Sequence, residues 1–197
     1  AGGIDRLSKE GIRLRNYKLI NNLGIENNNV FNLYEDRQGN IWAGTAGNGL
    51  FLFNEKTDAF MSVSCMNESA SLTNLAYISD IIQDSENNYW VGTLFGLVLL
   101  KVSDNLNFEC INFFSNESTG LSSNLIETVF EDSKGRIWIS TLDKGLNLFN
   151  KKDSTFSVIQ KKNGLPGNSI KGILEDNEGY LWISTNMGLC RFNYEKN

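Results

Sequence analysis

The sequence predicts an all-β fold that consists of about four β-propeller blades, each a four-stranded antiparallel sheet. All four tryptophans lie in the same local motif, and the steps from one Trp to the next are 48, 48 and 44 residues. A fixed period of this size, with several strand signals in each unit, is typical of propeller blades. The 18 glycines and the short runs of alternating apolar residues between them favour strands and turns over helices.

The first half of each unit is a strand, a tight turn and a second strand. Stretches 30–35 and 126–131 typify the first strand. In the turn Asp-x-x-Gly, the Asp side chain can accept a hydrogen bond from its own backbone, and Gly takes the positive φ. We assign a structural role to the four turn aspartates, Asp36, Asp84, Asp132 and Asp176.

The second strand carries the Trp, and two further strands complete the unit. A loop that ends in Gly precedes a third strand with alternating Leu, and a fourth strand follows near Phe60, Phe108 and Phe156. Since one sheet cannot bury both of its faces, neighbouring blades must stack. We therefore expect four structural tryptophans packed between blades: Trp42, Trp90, Trp138 and Trp182.

The ends of the chain are out of phase with a complete ring. Residues 1–27 hold the third and fourth strands of a partial blade, 28–72, 73–121 and 122–166 are blades, and 167–197 hold three strands of another partial blade. These are seventeen strands, whereas a closed ring of four blades needs sixteen. We expect one segment of a larger propeller, whose open blade faces drive association. A homodimer with about eight blades is one way to cover them.

Composition excludes several kinds of chemistry. The absence of His excludes Ser-His-Asp triads, Cys-His pairs and His-ligated zinc. Three Cys without a C-x-x-C motif make neither a Cys-only metal site nor a full disulfide framework, and we interpret Cys65, Cys110 and Cys190 as small apolar residues in strands. No signal peptide or membrane span is visible. The net charge of −5, with scattered basic residues, argues against nucleic-acid binding.

The repeated unit resembles a known repeat. Its consensus is Asn-x-[Val/Ile]-x-x-[Leu/Ile/Val]-x-Glu-Asp-x-x-Gly-x-[Ile/Leu]-Trp-[Ile/Ala]-[Gly/Ser]-Thr-x-x-Gly-Leu, which is similar to the two-component regulator propeller repeat over nearly the whole chain. The copies at 124–150 and 168–193 match best. The copy at 74–101 departs most, with Asn87 in place of Gly and Tyr89 before the Trp.

This resemblance implies a function and a setting. Members of the family are periplasmic sensor regions of hybrid two-component histidine kinase/response regulators. Their seven-bladed propellers precede a membrane span and signalling domains, and oligosaccharides are thought to bind them and regulate polysaccharide-utilisation genes. The resemblance thus implies a membrane-anchored parent protein whose remaining blades and signalling domains are partners of this segment, with kinase activity outside it.

Loops on one face of a propeller are the expected ligand site, because rigid scaffolds place binding residues on variable loops. The loops between second and third strands share this face with those that lead into first strands. Phe could stack on a sugar ring, while Asp, Lys and Asn could bond its hydroxyl groups. The candidates are Phe95, Asp143 and Lys144, followed by Asn48, Asn186, Asn124 and Asn168. An Asn before a strand can instead be a turn residue.

Two other functions stay open, namely a protein-interaction scaffold and a propeller glycosidase or lyase. A glycosidase needs two carboxylates in one pocket, but the four turn aspartates recur identically and single out no pair. In a propeller the first strand of each blade lines the central axis, and we call it the axial strand. Asp80 lies on such a strand and is the one carboxylate outside the repeat pattern that could line the channel. One carboxylate per turn is also too few for Ca²⁺. We therefore predict no catalytic residue, metal or cofactor.

Overall fold

The computed structural model describes residues 2–66, 75–102, 108–115 and 120–195. Seventeen strands are found there, the number that the repeat predicts, together with a short 3₁₀ helix at Lys161–Asn163. The described residues include no helix with the length and apolar character that a membrane span requires. The strands are β1 (Ile4–Leu7), β2 (Arg13–Tyr17), β3 (Val30–Glu35), β4 (Ile41–Thr45), β5 (Leu50–Asn54), β6 (Ala59–Ser62), β7 (Ile78–Gln83), β8 (Tyr89–Thr93), β9 (Gly96–Val102), β10 (Phe108–Phe113), β11 (Ile126–Glu131), β12 (Ile137–Thr141), β13 (Leu146–Asn150), β14 (Thr155–Ile159), β15 (Ile170–Glu175), β16 (Leu181–Thr185) and β17 (Gly188–Phe192).

The strands form five antiparallel sheets in chain order. A two-stranded sheet, β1-β2, is followed by the four-stranded sheets β3-β4-β5-β6, β7-β8-β9-β10 and β11-β12-β13-β14, and then by the three-stranded sheet β15-β16-β17. We number them as blades 0 to 4. The all-β propeller architecture is therefore confirmed. Each sheet lies within one of the predicted segments, while the exact segment boundaries stay a prediction.

The core lies between the blades. Each pair of neighbouring blades encloses one apolar cluster, to which the second and third strands of the earlier blade and the axial strand of the later blade contribute. Blades 0 and 1 share a smaller cluster around Leu19, Ala43 and Phe51. Stability thus depends on the contact of one sheet with the next, as expected for stacked repeats.

Three of the four tryptophans are buried in these clusters, as predicted. Trp42, Trp90 and Trp138 are 1%, 2% and 0% exposed. The prediction is wrong for Trp182, which is 37% exposed. Its indole lies on the side of blade 4 that faces away from blade 3, and no other described sheet covers that side.

Each Trp is tied to the turn aspartate six residues before it. In blade 1, Oδ1 of Asp36 accepts the backbone N–H groups of Gln38 and Asn40, and Oδ2 accepts the indole N–H of Trp42 at 3.0 Å. The same indole bond measures 2.8, 2.8 and 2.9 Å in the next three blades. The structural role of the aspartates therefore includes an indole bond that the sequence did not reveal. In blade 2, Asn87 takes φ 65° at the Gly position of the turn, as expected.

The electrostatics of these carboxylates follow from the same bonds. Burial acts to raise the pKa of Asp132, but the bonds from Trp138 and from the backbone and side chain of Arg136 outweigh it and hold the pKa below its usual value. The pKa of Asp36 is lowered in the same way, against burial, by Trp42 and Asn40. Both carboxyl groups are therefore held in the charged form that the indole N–H prefers.

A second repeated bond joins adjacent blades beside the turns. The backbone N–H of the residue after the turn Asp is donated to the side chain that ends the first strand of the next blade. The three pairs are Arg37 with Gln83 at 3.0 Å, Ser85 with Glu131 at 2.8 Å and Ser133 with Glu175 at 2.6 Å. We call this contact the turn-to-blade bond.

The interpretation of all three cysteines as apolar residues in strands is wrong for two of them. Cys65, just after β6, forms a disulfide with Cys110 in β10, and Cys190 is free. The two bonded residues are 45 positions apart, about one repeat, which places them on neighbouring blades. The disulfide therefore links the end of blade 1 to the outer strand of blade 2.

Trp138→Ala and Trp182→Ala form a matched pair of substitutions in one motif. We expect Trp138→Ala to lower the free energy of unfolding by about 3 to 5 kcal/mol, because it empties a buried site. Trp182→Ala should cost less than half of that, because the indole is already partly in water. Urea unfolding followed by circular dichroism measures both, and equal losses would contradict the difference in burial.

Removal of the disulfide should also destabilise the chain. We expect Cys65→Ser with Cys110→Ser to lower the free energy of unfolding by about 2 to 4 kcal/mol, because the unfolded chain regains the freedom of the closed loop. Cys190→Ser is the control and should have little effect. A thiol assay on the denatured, unreduced protein should find one thiol, and three thiols would contradict the disulfide between Cys65 and Cys110.

Candidate ligand-binding face

One end of the blades is built from two sets of loops that bond to each other. In every blade from 1 to 4, the residue after the second strand donates its backbone N–H to the loop that leads into the first strand. The four pairs are Ala46 with Asn29, Leu94 with Tyr77, Leu142 with Leu125 and Asn186 with Ser169, at 2.9 to 3.2 Å. We call the surface that these loops form the loop face. The predicted ligand residues lie on it.

Two aromatic rings lie side by side on the loop face of blade 2. Phe95 is 46% exposed, and Tyr77 beside it is 39% exposed. Their ring centroids are 5.9 Å apart in an edge-to-face arrangement. The loop is fixed in place, because the backbone N–H of Phe95 bonds Oγ1 of Thr93. The predicted Phe95 is thus one half of an exposed, positioned aromatic pair.

A pocket of about 270 Å³ adjoins this pair. Its lining residues are Phe31, Tyr77, Ile78, Ser79, Leu94 and Glu127. Glu127 also forms an ion pair with Lys171 of blade 4, with Nζ 3.2 Å from Oε1. The pocket therefore combines an apolar and aromatic wall with one carboxylate that is held by a cation.

Asp80 lies next to Ser79 on β7 and joins three axial strands. Its carboxylate accepts bonds from Asn32 of blade 1 at 3.3 Å and from Oγ1 of Thr128 and N of Val129 in blade 3 at 2.6 and 2.9 Å. Burial raises the pKa of Asp80 above its usual value in spite of these bonds. This carboxylate braces the blades, and its acceptor positions are occupied by protein groups.

The remaining loop residues lie on blades 3 and 4. Asp143 and Lys144 are exposed at the tip between β12 and β13, and the backbone N–H of Lys144 bonds Thr141. Asn186 is exposed on the corresponding loop of blade 4, where its Oδ1 lies so close to Gly167 that a Cβ there would be 2.7 Å away. These side chains share the loop face with Phe95, on successive blades.

The other three asparagines are used by the fold. The side-chain oxygen of Asn124 accepts the N–H of Ser115 at 2.6 Å, and that of Asn168 accepts the N–H of Lys161 at 2.7 Å. Asn48 is buried and donates to the backbone oxygens of Leu19 and Ile25. Their part in ligand binding stays a prediction, and it would use only the groups that these bonds leave free.

Sequence reasoning missed Tyr77 and the pocket residues Phe31 and Glu127. Tyr77 lies in the loop before β7, and the equivalent positions in the other blades are Asn29, Leu125 and Ser169, so departure from the repeat was the available signal. In the part of the chain that the structure describes, no three His, Cys, Asp or Glu side chains converge as metal ligands would.

The chain matches one family model in four places. The model describes the two component regulator propeller, and it matches residues 24–47, 71–95, 120–143 and 164–187. Each match begins ahead of a first strand and ends near the tip of the loop after the second strand. It therefore contains the turn aspartate, the Trp and one pair of loops of the loop face. No curated protein sequence matches the chain.

Solved structures share the fold. Extracellular domains assigned to two hybrid two component systems of B. thetaiotaomicron superpose with TM-scores of 0.78 and 0.72, at 20% and 21% identity, over 100% and 99% of this chain. The chain spans about a quarter of each of these structures, 27% and 26%. Virginiamycin B lyase from Staphylococcus aureus matches with a TM-score of 0.61 at 13% identity, over 97% of this chain and 66% of its own.

The substitution Asp80→Asn tests whether the carboxylate of Asp80 stabilises the contact between the axial strands. We expect a loss of about 1 to 3 kcal/mol in the free energy of unfolding, because the two carboxylate oxygens together accept four hydrogen bonds, whereas an amide has only one oxygen that can accept them. A raised native pKa means that the native state keeps this proton to higher pH than the unfolded chain does. The associated stability is complete below the unfolded pKa, about 4, and is lost as the pH rises through the native pKa.

The difference in stability between wild type and Asp80→Asn should therefore shrink as the pH rises above about 4. Urea unfolding at a series of pH values measures it. Asp143→Asn, at an exposed loop tip, is the control and should show no such trend. A difference that grows with pH would contradict the raised pKa.

Proposed function

Because the chain belongs to the two component regulator propeller family, we propose that it is a ligand-sensing segment of an extracytoplasmic hybrid two-component receptor. We further propose that its ligands are oligosaccharides and that binding regulates polysaccharide-utilisation genes. The observation that carries the proposal is the exposed pair Tyr77 and Phe95 beside a pocket that is lined by Glu127, whose carboxylate pairs with Lys171.

The chemistry of this surface suits a sugar. One face of a pyranose ring carries C–H groups that can lie on an aromatic ring, and its hydroxyl groups need charged or amide partners. Ligand sites commonly combine such an apolar wall with a few placed polar groups. The loop face supplies the wall through Tyr77 and Phe95 and polar groups through Asp143 and Lys144, and the adjoining pocket adds Glu127.

The proposed location is the periplasm. The disulfide Cys65–Cys110 favours an oxidising compartment, because disulfides are rare in the reducing cytosol. Two similar solved structures are described as extracellular domains of hybrid two component systems. In this proposal the parent protein is anchored in the membrane, and its remaining blades, histidine kinase and response regulator are partners of the segment.

A protein-interaction scaffold is the second candidate function. Apolar side chains are exposed on the loop face and along the axial strand β3, namely Phe31, Leu125 and Met187, and exposed apolar surface is typical of protein-binding sites. An enzymatic role has less support. The similarity to the lyase, at 13% identity, supports a shared fold only. The carboxylate of Asp80 already accepts hydrogen bonds from Thr128 and Val129.

Calorimetric titration of the chain with a panel of plant and host glycan fragments tests the proposal. We expect Phe95→Ala and Tyr77→Ala each to weaken glycan binding roughly fivefold, since contact with one aromatic ring is worth about 1 kcal/mol. Tyr194→Ala is a matched control, because this exposed ring contacts Trp138 and lies off the loop face. If no glycan binds while a protein partner does, the scaffold function replaces the sensing of sugars.

A further inference from the structure

Each axial strand of blades 1 to 4 carries one extra residue near its start. The register with the second strand shifts by one position there, which defines a β-bulge. Bulges often occur beside functional sites, where they redirect a side chain. The four bulge residues occupy equivalent positions of the repeat, and they are Phe31, Ser79, Glu127 and Lys171. We call these four residues the bulge row.

The bulge row varies in chemistry, whereas the strand around it does not. The residue before the bulge is Val or Ile in all four blades, and the residue two positions after it is Leu, Ile or Val. The row itself holds a phenyl ring, a hydroxyl group, a carboxylate and an ammonium group. A position that served only the stacking of blades would hold similar side chains in every copy. The variation therefore makes the row a candidate for recognition.

The bulge row lines the pocket on the loop face. Phe31 of blade 1 and Glu127 of blade 3 line it together with Ser79, which comes from the blade between them. Because Ser79 is the smallest of the three, it leaves space between its larger neighbours. Its hydroxyl oxygen is buried, and no group in the described part of the chain bonds it. Tyr77 lines the same pocket, so the bulge row and the exposed aromatic pair belong to one site.

The residues that follow the bulge row hold it in place. They include Asn32, Asp80 and Thr128, and the carboxylate of Asp80 accepts hydrogen bonds from both of the others. These bonds connect the axial strands of blades 1, 2 and 3 directly beside the bulges. A ligand that meets the bulge row therefore finds its backbone already positioned, which reduces the entropy that binding costs.

Glu127 and Lys171 present opposite charges to this site. Nζ of Lys171 lies 3.2 Å from Oε1 of Glu127, and the two side chains are 50% and 29% exposed. Among the residues that the structure describes, no hydrogen bond engages Oε2 of Glu127. The ammonium group has three N–H donors, of which this bond uses one. The pair therefore offers an acceptor beside a donor and has no net charge.

We propose that the bulge row selects an uncharged sugar by binding two neighbouring hydroxyl groups at the Glu127–Lys171 pair. One hydroxyl donates to Oε2 of Glu127, the other accepts from Nζ of Lys171, and the C–H face of the ring lies against Phe31 or Tyr77. This inference rests on the proposed function and narrows its ligands to neutral glycans.

The charge balance of the pair favours a neutral ligand over a charged one. A sugar acid would bring its carboxylate to an ammonium group that Glu127 already neutralises, and an amino sugar would bring its ammonium group to a carboxylate that Lys171 already neutralises. Either ligand would lose water around a charge without gaining a free partner, and an unpaired charge is a strong means of rejecting a ligand. Hydroxyl groups carry no such penalty, since each can both donate and accept.

Calorimetric titration of the 197-residue chain with matched disaccharides tests this preference. The probes end in glucose, galactose or mannose, each in a neutral form, a form with a carboxyl group at C6 and a form with an amino group at C2. We expect the neutral form of the sugar that binds best to bind about tenfold more tightly than its two charged forms, because only the charged forms leave a charge unpaired.

Two substitutions should reverse the preference in opposite directions. Glu127→Gln keeps the shape of the side chain but leaves Lys171 unpaired, so we expect it to weaken binding of the neutral form roughly fivefold and to make the carboxyl form the preferred ligand. Lys171→Gln leaves Glu127 unpaired and should make the amino form the preferred ligand. Circular dichroism confirms that each variant is folded.

Glu86→Gln is a matched control. It breaks the ion pair of Glu86 with Lys151, whose Nζ lies 2.7 Å from Oε1, at the end of the blades that carries the turns, and it should change neither affinity nor preference. The inference is overturned, with sugar sensing retained, if wild type binds a charged form at least as tightly as the neutral form or if Glu127→Gln leaves the preference unchanged. If no form of any probe binds, the proposed function fails and this inference fails with it.

Discussion

The bond from each indole N–H to the turn aspartate six residues earlier is the interaction on which the rest of the structure depends. A buried N–H without an acceptor would cost about 1 to 3 kcal/mol, so the aspartate makes the deep burial of the Trp possible. The same carboxylate closes the turn between the first two strands. One side chain therefore fixes the hairpin and aims the indole at the next blade. The constant spacing from Asp to Trp in every copy follows from this double role.

Local patterns in the sequence predict the fold well because the forces that form each blade are local. The turn residues and the alternation of apolar and polar residues set the order of strands within a blade, and the repeat period indicates that the blades stack. The sequence does not predict features that depend on which blades are neighbours. The disulfide between Cys65 and Cys110 requires that their blades adjoin, and the exposure of Trp182 depends on the absence of a covering sheet among the described residues. The contact of Tyr77 with Phe95 joins two loops that no local pattern connects.

Blade 2 departs most from the consensus of the repeat, and the residues that depart from it share one property, which is that they bond to neighbouring blades. Tyr89 replaces the usual aliphatic residue, and its hydroxyl reaches Asp36 of blade 1 at 2.7 Å, while burial and this carboxylate raise the pKa of Tyr89. Asp80 ties the axial strands of blades 1 and 3 to its own, and Cys110 ties the outer strand to the end of blade 1. Additional bonds therefore hold this blade to its neighbours at the axis, at the rim and beside the turns. The same blade carries the exposed aromatic pair.

The repeat itself separates residues that hold the fold from residues that are free to bind. A group that recurs at the same place in successive copies meets the same partner each time, as Asn124 and Asn168 do when they accept a backbone N–H from the preceding segment. Such a group cannot distinguish one ligand from another without weakening the blade. Side chains that do not recur, such as Phe95 and Lys144 at the loop tips, have no equivalent bond to keep. Because the loops beneath them are fixed by backbone bonds to the neighbouring loop, these tips can vary in chemistry while their positions stay constant, which is why we expect a ligand to be distinguished there.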